Sequence, residues 1–152
     1  MPIITASNDV PMIAAGDPLE IGPLRNEFVA GVLSVGRLVD RILDRITELN
    51  DPAIWITRTK EADLRARARA LDATVAADPS VFERLPLFGI PFAVKDSIDV
   101  AGMPTTAGCP AFGYTPSETA PVVVRLLAAG AVLIGKTNLD QFATGLVGTR
   151  SP

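Results

Sequence analysis

The sequence contains no histidine and only one cysteine, Cys109, among its 152 residues. The lack of histidine excludes Ser-His-Asp and Cys-His catalysis, histidine-bearing zinc sites and a histidine proton shuttle. A single cysteine cannot form an internal disulfide, and this scarcity is typical of proteins in the reducing cytoplasm. We therefore expect a cytoplasmic protein whose chemistry depends on neither an imidazole nor a disulfide.

A strong charge of either sign is also lacking. Lys and Arg number 14 against 17 Asp and Glu, a net charge of −3, so nothing indicates a nucleic acid or an acidic membrane as partner. The longest uncharged stretch, 100–117, is interrupted by Gly and Pro and is not a membrane span. Residues 1–24 hold no Lys or Arg and no long apolar core, and we interpret them as an N-terminal tail without a secretory signal.

Hydrophobic spacing predicts alternating helices and strands, which makes the class α/β. Helices are predicted at 35–49, 64–75 and 119–129, and strands at 53–57, 89–94 and 131–134. Ser34 is placed as the N-cap of the first helix, and Asn50 stands at its end. The run 131–134 is entirely apolar, as expected of a strand buried on both faces. A further short helix is expected near Asn138.

The segment 130–137, GAVLIGKT, matches the phosphate-loop pattern G-x-x-x-x-G-K-[ST] letter for letter. A phosphate loop follows a strand and folds its four middle residues into a compact turn around the phosphates. Here those residues are aliphatic and follow a predicted helix. We therefore interpret the match as a helix-Gly-strand connection with Lys136 at the strand end.

Lys95 follows the apolar run 90–94 and precedes a loop rich in Gly, Pro and Thr. Burial in apolar surroundings lowers the pKa of a lysine because desolvation disfavours the ammonium form, so a lysine in such a place can act as a base. From spacing alone, two other interpretations stay open. Lys95 can be an exposed residue at the end of a strand, or it can pair with Asp96 or Asp99.

Three ordered blocks occupy the second half of the chain: PLFGIPFAVKD at 86–96, GMPTTAG at 102–108 and AGAVLIGKTNLDQFA at 129–143. Together they resemble the amidase-signature family of Ser-Ser-Lys amide hydrolases. Within that family, segments 106–112 and 138–145 are most similar to the allophanate hydrolase branch. Two positions depart from the usual pattern, Ser97 in place of Asn and Gln141 in place of a frequent Glu.

The resemblance implies a mixed sheet flanked by helices, with 25–152 forming the N-terminal portion of an amidase domain. It makes Lys95 the catalytic lysine and places a bridging serine and a nucleophilic serine C-terminal to the matched blocks, so the chain alone is expected to be inactive. The implied activity is hydrolysis of a small amide, allophanate, to ammonia and carbon dioxide in urea degradation. No metal or organic cofactor is implied, and a homodimer is suggested for the full-length enzyme.

Two other functions are compatible with the same blocks. The chain can belong to another member of the family, a general amidase or an amidotransferase subunit. It can also be a non-catalytic remnant or an assembly piece.

Overall fold

A computed structural model of the protein describes residues 19–145, 148 and 150–152. The helices of this part are α1 (Ile21–Val29), α2 (Val35–Leu49), α3 (Glu61–Ala77), α4 (Val81–Arg84) and α5 (Pro121–Ala128), and the strands are β1 (Trp55–Arg58), β2 (Pro91–Lys95) and β3 (Val132–Thr137). Single 3₁₀ turns occur at Pro110–Phe112 and Gln141–Ala143. The second of these turns lies where a short helix near Asn138 was predicted.

The three strands form one mixed sheet in the order β1-β3-β2. β3 pairs antiparallel with β1 and parallel with β2. Helices flank this sheet, which confirms the predicted α/β class. Because β2 and β3 run in the same direction, their carboxyl ends meet at one edge of the sheet, where Lys95 lies opposite Thr137.

Helix α2 begins and ends where its local signals predict. The Ser34 side chain accepts a hydrogen bond from the Arg37 backbone N–H, and Asn50 ends the helix in the left-handed conformation at φ 41°. Asp72 of α3 also accepts the backbone N–H groups of Val35 and Gly36, at 2.8 and 3.0 Å. The free amides of the first turn are thus satisfied by a second helix, which ties α2 to α3.

Strand β3 lies between two hydrophobic clusters. The larger cluster joins α2 and α3 to the sheet and includes Val132 and Ile134. The smaller one includes Leu133 with Val94 of β2 and Val123 of α5. Residues 131–134 are all 8% exposed or less. The prediction of a strand buried on both faces is therefore confirmed.

Helix α1 was not predicted from the sequence. It buries Leu24 and Phe28, and the Arg25 guanidinium donates to the carbonyl oxygens of Phe82 and Pro86 at 2.7 and 3.2 Å. Its first four residues fall in the range 1–24 that we assigned to a tail, while residues 1–18 lie outside the described part of the chain. A Cβ added to Gly89 would lie 2.7 Å from the Phe28 ring, so α1 packs directly against the start of the segment that carries Lys95.

Candidate active site

The predicted base, Lys95, is the last residue of β2, and it is exposed. The backbone N–H of Asp96 donates to Thr137 O at 3.0 Å, and the Ile98 N–H donates to Lys95 O at 2.9 Å, which closes a turn directly after the strand. Within the described part of the chain, the Lys95 ammonium forms no ion pair. The structure thus places Lys95 at an exposed strand end, which is the first of the two other interpretations. The apolar burial that the sequence argument for a base required is absent among the described residues, because strand alternation turns Val94 inward and Lys95 outward.

Directly behind this strand end lies a buried ion pair between Asp96 and Lys136. Both side chains are 0% exposed, and Lys136 Nζ lies 3.3 Å from Asp96 Oδ1. Lys136 donates to the Pro104 carbonyl and to Thr105 Oγ1, each at 2.6 Å. Thr106 donates to Asp96 Oδ2 from its backbone N–H at 2.9 Å and from its hydroxyl at 2.5 Å. The pair therefore binds β3 to the loop that follows Lys95.

Burial lowers the pKa of Lys136, and the nearby Asp96 and Asp99 carboxylates partly offset this effect. Apart from the Lys136 ammonium at 3.3 Å, Asp96 Oδ1 has no polar partner among the described residues. The two hydrogen bonds from Thr106 are both made to the other oxygen, Oδ2.

Asp99 is also engaged away from Lys95. It accepts hydrogen bonds from the hydroxyls of Thr105 and Tyr114, both at 2.8 Å to Oδ1. The hydrogen bond to Asp99 raises the pKa of Tyr114. The two carboxylates that the sequence offered as counter-ions of Lys95 thus bind other groups, so the interpretation of Lys95 as the partner of Asp96 or Asp99 is wrong.

The loops beside Lys95 contain backbone conformations that L-residues rarely adopt. Ala107, Phe142 and Ala143 have positive φ values of 52°, 53° and 57°. The Phe142 N–H donates to Ala107 O at 2.8 Å, so two of the three positions are joined directly. Residues of this kind cost of order 1–3 kcal/mol each and cluster at active sites and ligand clamps. The strained backbone supports this end of the sheet as the functional site.

Sequence reasoning missed the role of Lys136. It placed the residue correctly near the end of a strand, but left it without a partner. The available signal was a single charge that ends a fully apolar run, because a lysine next to buried residues on a central strand needs a counter-ion. The counter-ion, Asp96, directly follows the parallel neighbour β2, whose register with β3 the sequence does not show.

Three of the residues that match the phosphate-loop pattern, Gly130, Gly135 and Lys136, have structural roles in this fold that involve no phosphate. Gly130 adopts φ +97°, and a Cβ there would lie 2.9 Å from Phe88 Cα. A Cβ on Gly135 would lie 2.7 Å from Thr57 O, so β1 approaches β3 too closely for a side chain. Lys136 is buried on Asp96 instead of facing a phosphate. The helix-Gly-strand interpretation is confirmed.

We expect no micromolar binding of Mg-ATP or Mg-GTP, because the residues that would wrap the phosphates form a strand. Calorimetric titration of the protein with each nucleotide checks this expectation. Micromolar binding that is lost in Lys136→Ala would show that the pattern match was right and the strand argument wrong.

Gly135→Ala is expected to destabilise the fold by ~1–3 kcal/mol, the usual cost of overpacking, because backbone atoms cannot move aside as side-chain ends can. Denaturant unfolding measures the change. Gly22→Ala serves as the control, since nothing lies within 4 Å of a Cβ at that helical position. We expect the control to be neutral or slightly stabilising, and equal loss in both variants would contradict the close approach of β1.

Comparison with known proteins shows the family of this chain. The amidase family model matches residues 37–152. The chain is 56% identical over 102 residues to urea amidolyase of Lachancea kluyveri, covering 67% of this chain and 5% of that protein. It is 42% identical over 135 residues to one component of the glutamyl-tRNA(Gln) amidotransferase of Symbiobacterium thermophilum, covering 88% of this chain and 27% of that component. Allophanate hydrolase of Kluyveromyces lactis superposes with a TM-score of 0.61 at 46% identity, covering 77% of this chain and 19% of that structure.

The chain therefore belongs to the amidase family. It spans only a small part of the relatives named above, from 5% to 27% of their length. The α/β fold with a mixed sheet and the family resemblance are confirmed, whereas the catalytic role of Lys95 stays a prediction. The described residues include no helix long and apolar enough to cross a membrane.

Proposed function

We propose that this chain supplies the catalytic lysine, Lys95, of a Ser-Ser-Lys amide hydrolase that acts on allophanate. The observation that carries the proposal is the position of Lys95 at the carboxyl end of a parallel strand, where both nearby carboxylates bind other groups. Similarity to urea amidolyase and allophanate hydrolase supports the substrate class. The other two catalytic residues, a bridging and a nucleophilic serine, are those that the family resemblance implies.

In this mechanism the neutral amine of Lys95 accepts a proton from the bridging serine, which in turn accepts one from the nucleophilic serine. The activated serine oxygen attacks the amide carbonyl carbon and forms a tetrahedral intermediate. The proton then passes to the leaving nitrogen, the C–N bond breaks, and ammonia departs from an acyl-enzyme. Water, activated through the same relay, hydrolyses the acyl-enzyme, restores the serine and releases the substrate remainder as N-carboxycarbamate. Loss of carbon dioxide from this product gives carbamate, which breaks down to the second ammonia and a second carbon dioxide.

Such a relay requires an amine that the serines can reach and that other groups do not already engage. A base must come within about 2.6–3.2 Å of the proton it abstracts, so an inaccessible lysine could not serve. Lys136 does not meet this requirement, because it is 0% exposed and already donates to Pro104 and Thr105. Of the two strand-end lysines, Lys95 is the one that fits the base.

The substrate is tested in a complete amidase that contains this chain and the two serines. We expect ammonia release from allophanate, with kcat/KM at least ~10-fold above that for a simple primary carboxamide, because a site built around the substrate carboxylate leaves polar groups unpaired with an analogue that lacks it. A variant without the nucleophilic serine is the control for background hydrolysis.

Two results would contradict the proposal. Equal activity on the carboxamide would favour a general amidase, and glutamine-dependent amide transfer to tRNA would favour the amidotransferase subunit. A cytoplasmic location and a homodimer of the complete enzyme stay predictions, which cell fractionation and sedimentation check.

A further inference from the structure

Along the end of strand β2 and the residue that follows it, side chains alternate between the exposed and the buried face of the sheet. Ala93 and Lys95 are exposed, whereas Val94 and Asp96 are buried. Successive side chains of an extended segment point to opposite faces of a sheet. Asp96 therefore enters the buried face, the same face on which Val94 lies opposite Lys136 in the parallel register.

Without Lys136, Asp96 would be a buried carboxylate next in sequence to Lys95. Its unbalanced negative charge would act from the opposite face of the strand on the amine of the adjacent residue, Lys95, and would favour the protonated form of that amine. In the structure this charge is matched by the Lys136 ammonium at 3.3 Å. The other charged groups around the pair are Asp99, which binds Thr105 and Tyr114, and Arg58 of β1, which is exposed and lies opposite Gly135.

The same pair also shapes the backbone after Lys95. Asp96 receives two hydrogen bonds from Thr106, and Lys136 holds Pro104 and Thr105. These residues lead directly into the strained position Ala107, whose carbonyl accepts from Phe142. Lys136 thus connects the turn after Lys95 with residues 104–107, and Ala107 in turn contacts Phe142 of the loop that follows β3.

We propose that Lys136 is a positioning residue for Lys95: by binding Asp96 it holds the turn after the base in place and balances the charge of the carboxylate that follows the base in the chain. This inference rests on the function proposed above. Lys136 does not contact the substrate and acts only through Asp96. Its contribution is therefore expected in the pH dependence of the reaction.

The test measures pH profiles of kcat/KM for Lys136→Met, Asp96→Asn and the double variant in the complete enzyme. Lys136→Met leaves a negative charge beside the base. We therefore expect the acidic limb of the profile, where kcat/KM rises with pH as the base loses its proton, to move to higher pH by about one unit. At pH 7 this lowers kcat/KM about tenfold, and the loss recovers at higher pH. Asp96→Asn leaves the positive charge and moves the limb to lower pH. The double variant removes both charges and returns the limb to its original place.

A purely structural role gives a different result, since a loss of folded enzyme lowers the rate equally at every pH and leaves the limb unmoved. That outcome, or shifts of the same sign in both single variants, would overturn the inference. If Lys136→Met does not fold, Asp96→Asn decides, because the amide oxygen can still accept both hydrogen bonds from Thr106. Lys95→Arg is measured alongside. An active arginine enzyme overturns the proposed function itself. An inactive arginine enzyme, together with unmoved acidic limbs in the Lys136 and Asp96 variants, overturns only the role of Lys136.

Discussion

Lys95→Ala is expected to lower the kcat of the complete enzyme by at least ~10²–10⁴, the range ascribed to general acid-base catalysis. The reason is that alanine removes the proton acceptor while leaving the strand intact, because the Lys95 side chain is exposed and forms no ion pair among the described residues. KM should change much less than kcat. Steady-state kinetics with allophanate measures both parameters.

The Lys95→Arg variant distinguishes between two roles of Lys95, a catalytic base and a structural cation. A guanidinium stays protonated at any workable pH, so arginine keeps the charge and loses the base. We expect it to be as inactive as alanine. Lys60→Ala, at an exposed position just before α3, is the matched control and should keep full activity. An active Lys95→Arg enzyme would refute the assignment of Lys95 as the base.

The second large effect concerns stability. Asp96→Ala leaves the Lys136 ammonium buried without its counter-ion, and breaking a buried pair in this way costs about 3–5 kcal/mol of the free energy of unfolding. Denaturant unfolding of the protein at pH 7 measures the loss. The control is Asp78→Ala, which removes an exposed partner of Arg84 and should have a far smaller effect. Similar losses in both variants would contradict the importance of the buried pair.

The pH dependence of this effect has a definite sign. Burial lowers the pKa of Lys136 below the ordinary lysine value of 10.5, so between these two values the unfolded chain binds more protons than the folded one. The free energy of unfolding therefore rises with pH across this window. Asp96 opposes the lowering, so its removal widens the window toward lower pH. If the loss in free energy of unfolding of Asp96→Ala, relative to the unsubstituted protein, grew with pH, this account would be contradicted.

Local signals determined where several elements lie. A capping serine and a left-handed asparagine delimit α2, and both act through bonds to nearby residues. Strand β3 was predicted from a short, unbroken aliphatic run after a helix and a glycine, a pattern that suits a strand buried on both faces. Helix α1 could not be predicted in this way. It contains Gly22 and Pro23, which do not favour a helix, and its apolar residues form a stable face only against the packed core.

The sequence by itself determined the family, through three ordered blocks, and with it the α/β class and the choice of Lys95 as candidate base. Tertiary structure alone decided which carboxylate belongs to which lysine. Asp96 is adjacent to Lys95 along the chain, yet it binds Lys136, because strand alternation sends Lys95 and Asp96 to opposite faces while the parallel register brings Lys136 onto the Asp96 face. Sequence adjacency cannot reveal a counter-ion, since the electrostatic partner of a buried charge is set by the face on which it lies.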